Sequence, residues 1–138
     1  MADSARIVAA ARSWLGVRWR HQGRTVRDGV DCIGLCICVA RECGYSVPNA
    51  TGYARRQDGS QLMAALSTHL SPVPKGQGSQ GDVALFRDDG FPVHVGILAL
   101  RRGIQTVIHA HARRRQVFEE PLETIGQPFA LFRLKERS

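Results

Sequence analysis

Between Cys32 and Ala40 the chain reads Cys-Ile-Gly-Leu-Cys-Ile-Cys-Val-Ala, with no polar side chain on any helical face. A helix that is apolar all round has to be enclosed, so the rest of the chain must supply elements to wrap this one. Asp31 stands where an N-cap carboxylate would accept from the first-turn N–H groups, and Gly44 is a good stop. The run is too short to cross a bilayer, and no other apolar run in the sequence is long enough.

Two more helices suit this role. Asp3 or Ser4 can cap a first helix that ends at Gly16, with Ile7, Val8, Ala11, Trp14 and Leu15 on one stripe. A third is expected over 60–70, capped by Ser60, with Leu62, Leu66 and Leu70 four apart. Residues 17–30 and 71–81 read as loops. Beyond 81 the apolar period falls to two, and strands are expected at 82–87, 93–100, 105–111, 115–120 and 128–134. Asp88-Asp89-Gly90 and Arg101-Arg102-Gly103 are the expected turns between the first three. Helices first and strands after predict an α+β domain, with an antiparallel sheet packed on the central helix. At 138 residues, 1–138 is expected to form one domain.

All four cysteines, Cys32, Cys36, Cys38 and Cys43, lie within twelve residues. That is a poor disulfide framework, and it lacks the C-x-x-C pairs of a zinc site, so reduced thiols are expected. Cys36 and Cys38 suit the role of small buried hydrophobes, and Cys43 sits near the helix end. Cys32 alone stands at a loop–helix junction. There the unpaired N–H groups and the helix dipole favour the thiolate, the reactive form.

A thiolate nucleophile needs a base, usually a histidine held by a third polar group. His94 lies in an apolar strand, Val93-His94-Val95-Gly96-Ile97, with Gly96 leaving room on the same face. A histidine buried there is either structural or catalytic, and the residues leave both open. His109 and His111 share a face of the next strand. If the two strands form a hairpin, either could orient the His94 ring. The same two histidines with a cysteine could hold zinc, but no further ligand stands at the right spacing. No metal and no cofactor are therefore expected.

The formal charge is +7, and 17 of the 19 basic residues are arginine. This fits a soluble surface or an acidic partner such as nucleic acid, a cell-wall polymer or an anionic protein. The basic segments are Arg113-Arg114-Arg115 and the Arg18–Arg27 loop. Aromatics are not interleaved with them, which argues against a base-stacking nucleic-acid surface. The Met1-Ala2-Asp3-Ser4 start shows no secretory signal, so cytoplasmic synthesis is expected, with export by assembly into a particle left open.

Taken together, Trp14-Leu15-Gly16, Trp19-Arg20-His21-Gln22-Gly23, Asp31-Cys32-Ile33-Gly34-Leu35, Gly81-Asp82-Val83, His94-Val95-Gly96-Ile97 and Ile108-His109-Ala110 resemble the NlpC/P60 cysteine peptidases, a papain-like superfamily. The resemblance implies a nucleophile at Cys32, a base at His94 and a ring-orienting residue at His109. It implies cleavage of peptidoglycan stem peptides, commonly between D-glutamate and a diamino acid. Asp31 would help hold the free amino end of the substrate, as in some members. The family often has a tyrosine before the cysteine that helps stabilise the oxyanion. Trp19 stands there in this chain, leaving Trp19, His21 and the Cys32 backbone N–H as candidate donors. The His21-Gln22 pair and the missing signal resemble the phage and prophage branch, found among tail-assembly genes and in gene-transfer particles. That implies tail or particle proteins as partners and delivery to the cell wall in a phage-like particle. The alternatives are a tail structural or adaptor protein with this fold and little catalysis, or amidase or acyltransferase chemistry on it.

Overall fold

The computed structural model describes residues 2–53, 58–88 and 91–135. The chain forms α1 (Ala2–Arg12), a two-residue ladder β1 (Arg24–Thr25) and β2 (Gly29–Val30), then α2 (Cys32–Glu42) and α3 (Ser60–His69). There follow β3 (Leu70–Val73), β4 (Val83–Asp88), β5 (Phe91–Arg101), β6 (Ile104–His111), β7 (Gln116–Pro121), a single turn α4 (Leu122–Ile125) and β8 (Ala130–Leu134). Strands β3 to β8 make one antiparallel sheet in the order β3-β8-β4-β5-β6-β7. This is the α+β architecture expected, with helices packed on an antiparallel sheet.

Alternation along the strands gives the sheet two apolar faces. Val95, Ile97, Ala99, Ile108, Ala110 and Val117 join Ile7, Ala11, Leu35 and Val39 in the main core beneath the helices. Ala84, Phe86, Leu98, Val107 and Leu131 face the other way and are covered by Leu122 of α4. Fully burying such a side chain contributes about 1.5–3 kcal/mol, which is why α2 lies against the long central strand β5.

Four local expectations are corrected. Helix α1 ends at Arg12 rather than Gly16, and Ser13 Oγ donates back to the Ala10 carbonyl at 2.6 Å. Such a bond competes with continued helix. The apolar stripe therefore stops at Trp14, whose indole N–H donates to Glu42 Oε1 at 3.0 Å, and Leu15 is exposed. The N-cap of α3 is Gly59 at φ +86°; Ser60 is already helical and is itself held by Asp58 Oδ1. Residues 71–73, read as loop, belong to edge strand β3, where Pro72 is tolerated because an edge leaves N–H positions unpaired. The 17–30 loop contains the β1–β2 ladder. Asp89 and Gly90 of the expected turn lie outside the described residues, while Arg102 and Gly103 turn at positive φ as expected.

Helix α2 is less enclosed than its composition suggests. Gly34, Leu35, Val39 and Ala40 are buried, but Ile33, Cys36 and Ile37 line an apolar cavity of about 400 Å³ that α3 borders with Leu62 and Leu66. Among the described residues no helix is long and apolar enough to cross a membrane.

Candidate active site

The start of α2 is held by one carboxylate. Asp31 has extended backbone at φ −96°, and its Oδ1 accepts from Gly34 N–H at 2.7 Å, a true N-cap. Its Oδ2 accepts from Gln22 N–H and from the Tyr53 hydroxyl, each at 2.7 Å. The Arg24 guanidinium lies 3.4 Å from Oδ1 and also donates to the Tyr53 oxygen at 2.9 Å. A side chain at Gly34 would run into the Gly23 carbonyl and Arg24, which is the steric reason for glycine in Asp-Cys-x-Gly. Asp31 is 4% exposed, and a substrate ammonium could reach it only by displacing one of these donors.

His21 belongs to the same cluster. Its Nδ1 is 3.9 Å from Asp31 Oδ2, and its ring meets Tyr53 edge-on at 5.6 Å. Trp19 is half-buried and packs on the main core, and its backbone N–H donates to the Arg115 carbonyl at 2.9 Å. Tyr53 went unrecognised in the sequence because a single tyrosine in a polar loop carries no spacing signal.

Cys32 is the first residue of α2, and its thiol meets the backbone of β5 on both sides of His94. It donates towards the Val93 carbonyl at 3.9 Å and accepts from the Val95 N–H. Burial pushes this thiol up to about 12, outweighing the Val95, Ile33 and Cys32 N–H groups that favour the thiolate. The N–H groups at the helix start favour the thiolate, while burial of the thiol works against them. Burial raises Cys36, Cys38 and Cys43 as well, and all four cysteines are free.

His94 is buried on the sheet. Its Nε2 lies 2.6 Å from His109 Nδ1, and its ring is 4.8 Å from the His109 ring in an edge-on arrangement. The residues left His109 and His111 open as ring-orienting partner, and the geometry separates them. The His111 ring lies 4.9 Å from His94, but its Nδ1 accepts from Arg113 N–H in the following turn. Burial, then the His109 and His111 rings, hold His94 well below its ordinary range. Gly96 leaves room for the next strand rather than for the His94 ring: a Cβ there would fall 2.6 Å from Val107 Cγ2 and 3.0 Å from His109 Cβ.

The chain of contacts continues beyond His109. Its Nε2 lies 2.6 Å from Glu120 Oε2 on β7, and its ring packs on Phe118 at 4.4 Å. Burial lowers the His109 pKa, although Glu120 pulls it upward. Glu120 escaped the sequence reading because its approach depends on the β6–β7 register, Val107 opposite Glu120. Its neighbour Glu119 serves another purpose, taking the Arg12 fork at 3.0 and 2.9 Å.

Among the described residues no three His, Cys, Asp or Glu side chains are arranged to hold a metal ion. The lining of the apolar cavity beside α2 includes neither Cys32 nor His94, though it begins next to both at Ile33 and Val95. A half-buried thiol donating to the β5 backbone next to His94, itself 2.6 Å from a second histidine, is suited to acyl transfer through a thioester.

The NlpC/P60 family model matches residues 16–128. The chain belongs to the NlpC/P60 family. Among solved structures it resembles the NlpC/P60 domain of the peptidoglycan hydrolase SagA, at 22% identity over 95% of this chain and 98% of that one, with a TM-score of 0.70. An NlpC/P60 family protein of Bacillus cereus gives 23% identity over 95% of this chain and a TM-score of 0.70. RipD of Mycobacterium tuberculosis, described as a non-catalytic NlpC/P60 protein adapted to peptidoglycan binding, gives 19% identity, 96% and 97% coverage, and a TM-score of 0.65. At these identities the likeness shows the fold. The chain spans 40% of the Bacillus cereus protein and 42% of a Staphylococcus aureus relative. Curated protein sequences give no match.

Proposed function

We propose that residues 1–138 form one NlpC/P60 catalytic domain, a cysteine peptidase that hydrolyses peptide bonds in peptidoglycan stem peptides, with Cys32 as nucleophile and His94 as base. The observation that carries this reading is the 2.6 Å His94–His109 contact beside a thiol resting on the backbone of Val93 and Val95. His94 takes the Cys32 proton as sulfur attacks the scissile carbonyl, or already holds it in a thiolate–imidazolium pair. The tetrahedral oxyanion forms next to the first N–H groups of α2, with the Cys32 N–H as donor and Trp19 and His21 as the side-chain candidates. His94 then protonates the departing amine, and water hydrolyses the thioester. His109 keeps the His94 ring in position throughout.

The finer parts of the reading are the D-glutamyl–diamino acid bond and delivery in a phage or prophage tail. The first follows the family's common substrate. The second rests on the His21-Gln22 resemblance. Trp19 N–H bonding to the Arg115 carbonyl sets the two arginine-rich segments side by side, a basic surface suited to an anionic wall or particle protein.

Defined muropeptides incubated with the protein and read by mass spectrometry test the proposal. Wild type should release the cleaved pair, and Cys32→Ala should lose at least about a thousandfold in rate; undiminished cleavage by Cys32→Ala would sink it. A second reading, a stem-peptide-binding module with little catalysis, follows the description of the similar RipD as non-catalytic and adapted to peptidoglycan binding. Saturable muropeptide binding with no turnover in wild type would select that reading.

A further inference from the structure

We infer that Glu120 is a positioning residue, whose carboxylate sets the tautomer of His109 and through it leaves His94 Nδ1 as the proton acceptor. The inference rests on the peptidase reading for its consequence, but the tautomers themselves do not.

A carboxylate only accepts, so the 2.6 Å contact to Glu120 Oε2 requires the proton of His109 to sit on Nε2. A neutral His109 then has its lone pair on Nδ1. The 2.6 Å contact to His94 must be a donation from His94 Nε2–H. A neutral His94 protonated on Nε2 carries its lone pair on Nδ1, the nitrogen left to take a proton. One fixed acceptor thus propagates through two rings that could each adopt either tautomer.

The opposite arrangement needs a doubly protonated His109 donating to both neighbours, which would put the His94 proton on Nδ1 and block it as a base. Burial of the His109 ring, 1% exposed, disfavours that cation; the Glu120 carboxylate favours it, and His111 and Arg114 add to the effect of burial, which prevails. Glu120 itself is partly open to solvent at a surface cleft beside Arg101, Arg102 and Phe118. It is not in the main core, so its replacement need not empty the fold's interior. When His94 becomes the imidazolium during attack, the chain also brings a carboxylate two hydrogen bonds from the new positive charge.

The test is two-bond proton–nitrogen correlation NMR on histidine-labelled protein near pH 7.5, with muropeptide kinetics alongside. Wild type should show His94 and His109 both as Nε2–H. In Glu120→Ala the Nδ1–H form should appear in both rings, and kcat should fall about 10- to 100-fold with KM little changed. Glu120→Gln, whose amide oxygen can accept from the same N–H, should restore most of that loss. Either ring found as Nδ1–H in wild type overturns the inference without any variant, as do unchanged tautomers in Glu120→Ala or equal losses in the Gln and Ala variants. Expected tautomers in a protein that cuts no muropeptide would support the relay and remove the peptidase reading, so the two failures are distinguishable.

Discussion

Asp31 and His109 are both buried polar side chains of the candidate site, 4% and 1% exposed, yet their surroundings differ in kind. Asp31 is an acceptor met by Gly34 N–H, Gln22 N–H, the Tyr53 hydroxyl and Arg24. None of these bonds reverses easily, and together they tie the loop, the helix start and residue 53 into one unit. His109 sits between a ring and a carboxylate, and each imidazole can both donate and accept. The first arrangement resists change; the second can shift protons without moving heavy atoms. Stability should reside in the Asp31 cluster and chemistry in the histidine chain.

The largest expected effect tests the chemical side. His94→Ala should cost at least about a thousandfold in kcat with a urea midpoint near wild type. A variant that unfolds instead would erase the contrast. Asp31→Ala should do the reverse first: losing the cap and stranding the Gln22 N–H and Tyr53 hydroxyl should cost about 3 kcal/mol, read in urea titration. A loss below about 1 kcal/mol would show that the cluster is not the anchor its geometry suggests.

Gly96→Ala joins the two sides. The new Cβ, 2.6 Å from Val107 Cγ2 and 3.0 Å from His109 Cβ, must displace one of them. A stability loss of about 2 kcal/mol and a kcat loss of about tenfold are expected. Unchanged kcat in a folded variant would mean that the His109 position is not critical.

The smallest effect is on stability against pH. His94 and His109 titrate below their ordinary value of 6.5 in the folded protein, so below about pH 6.5 the unfolded chain binds protons that the native state refuses. Stability should be level above that pH and fall beneath it. Urea midpoints at pH 7.5, 6.5 and 5.5 check this, and His94→Gln should flatten part of the slope. No change between 7.5 and 5.5 would mean that the rings are hydrated and free to charge.

How much of this was legible beforehand varies from residue to residue. Asp31 as cap, Cys32 at the helix start and Gly96 as a space-maker follow from adjacent residues and the period of helix or strand, so the sequence shows them. The edge strand at 70–73 was hidden because Ser-Pro-Val-Pro carries turn residues, and only pairing with β8 makes a strand of it. His109 and His111 are equivalent by alternation; the turn that occupies His111 Nδ1 tells them apart.

The sequence by itself determined the α+β order, the apolar cysteine helix and the family, because these depend on local periodicity and on short motifs at fixed distances. Tertiary structure alone decided the partners of those residues and the burial of the thiol. Glu120 reaches His109 through strand register, and Tyr53 reaches Asp31 through loop packing. The upward push on the Cys32 thiol reflects burial by elements distant in the chain, a desolvation that no pattern around residue 32 encodes.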